Sequence, residues 1–349
     1  MRVLSLFDGI SCGRLALERA GIPVEVYYAS EIDKYAIKVS EKNYSDIIRL
    51  GDVREIDFTQ FIGKINLIIG GSPCQDLSIA KKNRQGLEGE KSGLFWKFVE
   101  AVETIKPKYF MLENVASMSK ENKKIITDTL GVEPVLINSA LVSAQQRKRL
   151  YWCNWPVDQP EDKGILLQDI LETGEAWSEK SVCLTANYNG AHFPHDYLWH
   201  QRQMVAENID CAFRSRGKEK HLDVRKDKKA NALTSVLTDC AICHPIQVGC
   251  KGKNAQANRI YSVRGKSVCL NANGGGGGAK TGLYKIDLPD GDYFVRKLTP
   301  IECERLQTLP DNYTDGVSKT QRYKCTGNAW TVDVIAHIFT ALKKAQEKA

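Results

Sequence analysis

Through its first 150 residues the chain alternates short apolar runs with stretches of helical periodicity. VLSLF (3–7), VYYAS (26–30), INLIIGG (65–71), YFMLENV (109–115) and LINSALV (136–142) are compact and bounded by polar turns, which predicts strands. Between them, Gly13–Ala20, Lys34–Asn43 and Leu94–Ile105 space apolar residues three and four apart, which predicts helices. Strands that alternate with helices imply an α/β fold of Rossmann-like type, a parallel sheet with helices on both faces. Such sheets bind ligands at the carboxyl ends of their strands, so chemistry is expected where the apolar runs stop.

After Trp155 the texture changes. Residues 156–290 are poor in long apolar helices and rich in Gly, Asn, Lys and short β-like runs. A weak repeat runs through them, KSVCLTAN (180–187), KANALTSV (229–236) and KSVCLNAN (266–273). The run Gly274–Gly278 carries no side chains to pack and reads as a loop whose backbone approaches something closely. Helical texture returns with LTPIECERLQTL (298–309), which has Pro near its start, and with the amphipathic WTVDVIAHIFTALKKA (330–345). The expectation is one large domain built from residues 1–155 and 291–349, with a small β-rich domain, 156–290, inserted.

Composition narrows the class. The 349 residues are 42% hydrophobic and 26% charged, the balance of a soluble globular protein. No run approaches the ~18 apolar residues of a membrane span, and the N-terminus lacks a signal-peptide pattern, so a cytoplasmic protein is expected. The eleven cysteines are odd in number and lack framework spacing, which in a reducing compartment leaves packing or chemistry as their roles. The net charge is +7, and Arg214–Lys229 alone holds eight Lys/Arg against three Asp/Glu. That run is either a solvated loop or a phosphate-contacting patch.

Candidate chemistry gathers at the ends of the runs. LFDGISCG (6–13) leads a strand through Gly9 into a helix, a turn whose backbone N–H groups can meet a ligand. Glu31 and Asp52 end the next two strand-like runs, where an acid typically binds ribose hydroxyls. No phosphate-binding GKS or GKT loop is present, which disfavours a nucleotide triphosphatase. GGSPCQDLS (70–78) places Cys74 after Pro73 at a strand end, where a thiolate could act as nucleophile. Glu113 ends a strongly apolar strand, and AQQRKRLYW (144–152) puts Arg147 and Arg149 on one strand face by two-residue alternation. Cys240, Cys243 and His244, with Cys211, His221 and Cys250 near them, supply only one CxxC pair of the four zinc ligands needed, so no metal is expected.

In order, FDGISCG (7–13), SPCQ (72–75), ENV (113–115), QQRKR (145–149), RKLTPIECERLQTLP (296–310) and GNAWTVDV (327–334) resemble the signatures of the DNA cytosine-5 methyltransferases. The catalytic motifs are most like those of the animal de novo enzymes. QANRIYSVRGKSVCLNANGGGGGAKTGLY (256–284) is similar to the recognition region of the bacterial enzyme that modifies GCGC. The resemblance implies an S-adenosylmethionine-dependent methyltransferase sheet, with 156–290 as target recognition domain. It implies attack of Cys74 on C6 of a flipped-out cytosine, protonation at N3 by Glu113, and charge balance by Arg147 and Arg149. For the cofactor it implies Phe7 on the adenine, Asp8, Gly9, Ile10 and Gly13 in the turn, Glu31 at the ribose, and Asp52 with Val53 at the adenine amino group. Ile32, Pro73, Leu94, Asn328 and Ala329 would complete that pocket. Ile32 stands where several relatives have an aromatic, and GNAW replaces the commoner GNS. Ala80–Gly93 matches the loop that closes over DNA. Gln256 would fill the gap left by the flipped base, Arg259 would read guanine, and Asn273, Gly274, Gly275 and Gly276 would approach the groove.

The expected partner is double-stranded DNA, the expected state a monomer in a prokaryotic cell or phage-infected host. A cognate restriction endonuclease could share the system without direct binding. Two other readings stand beside this one, a tRNA cytosine-5 methyltransferase and a catalytically silent DNA-binding relative. The tRNA branch bears a Cys-Phe-Thr motif that this chain lacks, and the presence of Cys74, Glu113, Arg147 and Arg149 argues against a silent protein.

Overall fold

The computed structural model describes residues 1–73, 92–173, 180–181, 183–184 and 298–347, together with the backbone of seven strands between 204 and 297. The chain divides into two compact units. The first comprises Met1–Ile170, Glu179–Asn189 and Thr299–Ala349. The second comprises Leu171–Ser178 and Gly190–Leu298.

The first unit is built on seven strands, β1 (Arg2–Leu6), β2 (Val26–Ser30), β3 (Ile48–Gly51), β4 (Leu67–Gly71), β5 (Tyr109–Val115), β6 (Val135–Asn138) and β7 (Lys148–Cys153). They lie in the order β3-β2-β1-β4-β5-β7-β6, all parallel except β7, which runs antiparallel to both β5 and β6. Between them run α1 (Cys12–Arg19), α2 (Lys34–Asn43), α3 (Phe95–Ile105) and α4 (Lys120–Leu130), and the short α5 (Leu167–Ile170) follows β7. The chain closes with α6 (Pro300–Leu306), α7 (Lys319–Asn328) and α8 (Val332–Glu347). The expected α/β architecture is present. The 136–142 segment departs from its strand expectation: β6 stops at Asn138, whose side chain accepts from Ala140 N and turns the chain into a 3₁₀ segment.

Strand alternation sorts the core into two layers. Val3, Leu67, Ile69, Tyr109, Met111, Tyr151 and Cys153 pack with α1 and α8 on one face. Leu4, Leu6, Ile68, Phe110, Leu112, Leu150 and Trp152 pack with α3 on the other. Covered on both sides, β5 is buried at all seven positions, which explains its unbroken apolar run. A Cβ on Gly13 would sit 2.5 Å from Ile69 Cδ1, so glycine there lets α1 lie close on β4. Because β2 and β4 flank β1, the crevice at the carboxyl end of β1 is the switch point where ligands bind such sheets.

KSVCLTAN was expected in the small domain, yet residues 180–184 join the first unit. Ser181 N donates to Ala144 O (2.7 Å) and Gln146 N to Ser181 O (2.8 Å). Lys180 Nζ caps the carbonyls of Ala140, Ser143 and Ile165. These backbone and carbonyl bonds outweigh the sequence likeness to the later repeats.

The second unit contains β8 (Met204–Asn208), β9 (Cys211–Arg216), β10 (Glu219–Val224), β11 (Gln247–Cys250), β12 (Arg259–Ser262), β13 (Leu283–Lys285) and β14 (Tyr293–Lys297). They form a β9–β10 hairpin, a β11–β12–β13 sheet and a β8–β14 pair. Among the described residues no helix is long and apolar enough to cross a membrane.

Candidate active site

The turn after β1 is the first wall of the site. Phe7 and Ser11, neither of them glycine, take left-handed φ of 60° and 61°, with Gly9 at 60° between them. Such residues persist only where their surroundings hold them, at a cost of about 1–3 kcal/mol each. Asp8 provides the hold. Its buried carboxylate accepts from Tyr27 Oη (2.8 Å) and Ser11 Oγ and faces Arg49 Nη1 at 3.6 Å. Burial pushes its pKa up, against the lowering effect of those donors and of Arg49. Glu31, one residue past β2, ties the turn to the next loop: Oε2 accepts from Gly9 N, and Oε1 from Ile32 N and Asp33 N, all at 2.8 Å. With two lone pairs per oxygen, Oε2 retains a position for one further donor. Asp33 in turn pairs with Lys324 of α7 at 2.6 Å.

The opposite wall comes from β5, β7 and the α7–α8 junction. Glu113 sits third from the end of β5, its Cα paired with Gly71 of β4 and Tyr151 of β7. Its Oε1 meets Arg149 Nε at 3.0 Å, and its Oε2 accepts from the Trp330 indole N–H at 3.0 Å. Because β7 is antiparallel, its first residues arrive at the edge where the parallel strands end, which brings Arg149 to Glu113. Arg147, just before β7, turns elsewhere. Its Nη1 donates to Leu184 O (2.9 Å) and Cys183 Sγ (3.2 Å), its Nη2 to Ala329 O (3.2 Å) and Gly327 O (3.3 Å). A cation at these last carbonyls also suits the negative end of α7. Burial first, and the Arg149 charge second, draw the Arg147 pKa down. The two arginines therefore divide their work, one on the acid and one on backbone oxygens.

One cavity of about 500 Å³ joins these walls. Phe7, Asp8, Gly9, Ile10, Glu31 and Pro73 line it together with Glu113, Arg147, Arg149, Asn328 and Ala329. Five expected cofactor residues are not in its lining. Gly13 packs on β4, Val53 and Leu94 belong to the α3-side core, and Ile32 is 68% exposed. The Asp52 carboxylate pairs with Arg54, the hydrogen bonds from Arg54 coming first in pulling its pKa down. Cys74, Gln256, Asn273 and Gly274 to Gly276 lie outside the described residues, as do most of the 80–93 loop and Cys240, Cys243 and His244. Arg259 opens β12. Among the described residues no cluster of three or more His, Cys, Asp or Glu could hold a metal ion.

Three of the lining residues that were not anticipated as site residues touch those that were, or hold the segment before Cys74. Trp330 lies on Glu113, Cys183 on the two arginines, and Asn114 donates to Ser72 Oγ (3.0 Å), holding the SPC segment to β5. The sequence held one hint of them, a Trp at the end of a motif that usually carries a small residue. Burial pushes the thiols of two further lining residues, Cys12 and Cys325, up to about 12.

The family model for C-5 cytosine-specific DNA methylases matches residues 1–344. The type II methyltransferase M.HhaI of Haemophilus parahaemolyticus is 28% identical over 97% of this chain and 93% of its own. The orphan methyltransferase M.SPRI of Bacillus phage SPR is 25% identical over 98% and 97%. Among solved structures, the Entamoeba histolytica methyltransferase EhMeth superposes with a TM-score of 0.61 at 15% identity, covering 99% of this chain and 98% of its own. The S. pombe Dnmt2 methyltransferase does so with 0.57 at 15%, covering 99% of each.

Proposed function

The chain belongs to the C-5 cytosine-specific DNA methylase family and is a DNA cytosine-5 methyltransferase, and from that premise we propose how its own residues act. It takes the methyl group of S-adenosylmethionine to C5 of a cytosine flipped out of a specific duplex sequence, through a covalent bond from Cys74 to C6. The observation that carries this reading is a single cavity in which the Glu113–Arg149 pair faces the Phe7–Ile10 turn and Glu31.

The donor set fits the cofactor. A cavity of about 500 Å³ falls within the usual range for small-molecule sites, and Glu31 keeps an accepting position for a ribose hydroxyl. Phe7 offers a ring to the adenine, while Gly9, Pro73, Asn328 and Ala329 would line the methionine end. When bound, the sulfonium supplies the methyl group.

The protein supplies the rest. Cytosine C5 is a weak nucleophile until addition at C6 breaks the ring's aromaticity, which is the work of the Cys74 thiolate. Pro73, its chain neighbour, lines the cavity. Glu113 presents its carboxyl group to N3 and the exocyclic amine, and a proton at N3 draws electrons from the attacked ring. Arg149 keeps the carboxyl oriented, and Arg147 fixes the 183–184 segment against the α7 terminus. The C5 proton then passes to solvent, and the electron pair it leaves restores the C5–C6 double bond and expels the Cys74 thiolate from C6. The 156–290 segment is proposed as the target-reading domain, with Arg259 on a guanine and the 214–229 run on phosphates.

Wild-type protein with tritiated S-adenosylmethionine should label duplex DNA and not tRNA. DNA containing 5-fluorocytosine should trap a covalent complex that Cys74→Ser does not form. Label on tRNA alone would move the assignment to the RNA branch, and turnover by Cys74→Ser would end the covalent mechanism.

A further inference from the structure

Glu113 has a donor on each oxygen, and the second comes from a residue to which the mechanism gives no role. Trp330 Nε1 lies 3.0 Å from Glu113 Oε2, opposite the Arg149 contact on Oε1. The approach is built in. A Cβ on Gly71 would fall 2.9 Å from Trp330 Nε1 and 3.0 Å from Glu113 Oε2, so glycine at the end of β4 makes room for that bond. Trp330 is also pinned on both sides: Ala329 O accepts from Arg147, and Thr331 Oγ1 donates to Gln307 Oε1 (2.9 Å) and accepts from Ser139 (3.0 Å).

We propose that Trp330 is the positioning residue of Glu113, its indole N–H fixing the carboxyl group against rotation so that it already faces the base when the base arrives. The proposal rests on the methyltransferase reading. The chemistry is one-sided, because an indole N–H donates and cannot accept. A donor to the charged form lowers a carboxyl pKa, and neither clamp can take the proton. The proton therefore has to settle on a lone pair left free by Arg149 and Trp330. Among the described residues, the charged or titratable groups that face Glu113 are Arg149, Arg147 and Tyr151, all from β7 or the residue before it. Removing the indole N–H leaves all three in place.

The test is Trp330→Phe, which keeps an aromatic ring and deletes the donor. The pH profile of kcat should show a limb that disappears in Glu113→Gln. In Trp330→Phe that limb should move up by roughly one pH unit, the scale of a single hydrogen bond. The KM for S-adenosylmethionine should change less than kcat. A fall in kcat with the limb unmoved, or a change confined to KM, overturns the proposal and leaves Trp330 as packing. An independent reading uses wild-type protein labelled with ¹⁵N at the indole. The Trp330 N–H resonance should titrate with Glu113 and lose that titration in Glu113→Gln. A pH-invariant resonance overturns the proposal even if Trp330→Phe does not fold. If wild type transfers no methyl group to DNA, the proposed function fails, and this titration still decides the Trp330–Glu113 contact.

Discussion

Glu113→Gln separates chemistry from architecture, because the substitution barely changes volume yet reverses the polarity of one terminal group. The carboxylate accepts at both oxygens, from Arg149 Nε and Trp330 Nε1, each at 3.0 Å. An amide offers one carbonyl oxygen and one NH₂. Whichever way Gln turns, the NH₂ faces a donor, so one of the two bonds is lost and the other weakens with the charge. A hydrogen bond to a charged group contributes about 1.5–3 kcal/mol and a neutral one about 0.5–1.5 kcal/mol. The side chains are 11% and 16% exposed, so the effect exceeds that of a surface ion pair yet falls short of the ~3–5 kcal/mol for breaking a fully buried one. We expect a loss of about 2–4 kcal/mol, read from urea unfolding as a lower midpoint at constant slope. Turnover should fall about a hundredfold or more, the scale of a positioned acid–base group. If turnover collapsed while stability stayed within about 0.5 kcal/mol of wild type, the carboxylate would not be clamped, and the geometric argument would fail.

Gly71→Ala should place its methyl on the Trp330–Glu113 contact; a stability loss of about 1–3 kcal/mol and impaired turnover are expected, and an unperturbed protein would contradict the close approach. Lys324→Met should remove the partner of Asp33, whose pKa is lowered because the Lys324 and Tyr35 hydrogen bonds together outweigh burial, the largest single effect, which raises it. A depressed carboxyl pKa contributes stability above its unfolded value of 3.8 and loses it as pH falls through the folded one, so the deficit of about 0.5 kcal/mol at pH 7 should shrink below 3.8. A deficit that grows in acid would reverse that sign. Arg259→Ala should relax the guanine requirement beside the target cytosine by about 1–3 kcal/mol of discrimination, read by methylome sequencing. An unchanged motif would remove Arg259 from base reading.

Much of the sheet was legible because the two signals that mark it are local. VYYAS, YFMLENV and Lys34–Asn43 match β2, β5 and α2 residue for residue. AQQRKRLYW was read as a strand, but the reversed direction of β7 was missed, although its clue was present. The nine residues from Ser139 to Arg147 are too few for a parallel crossover, which takes about a dozen or more. Helix α4 escaped because Ile126 is its one buried residue, leaving no apolar stripe; its ends, the Ser119 cap and Gly131 at φ 68°, were the readable part. At the site, strand ends pointed to Glu31, Glu113 and Arg149. The partner of Glu113 was out of reach, since Trp330 lies 217 positions away and no periodicity links the two.

The two ends of the chain meet around the site: Tyr313 Oη donates to Ile10 O at 2.8 Å, and Arg19 pairs with Asp333 at 2.7 Å. For the first unit, Leu171–Ser178 and Gly190–Leu298 are two excursions, one short and one long, that must close before those bonds can form. The entropy of closing a flexible excursion grows only with the logarithm of its length, about 0.6 kcal/mol for each doubling. Lengthening or shortening the middle of the gene thus leaves the stability of the methyl-transferring half nearly unchanged. The consequence falls on folding instead, since residues 299–349 must be made before Ile10 meets Tyr313 and Arg19 meets Asp333.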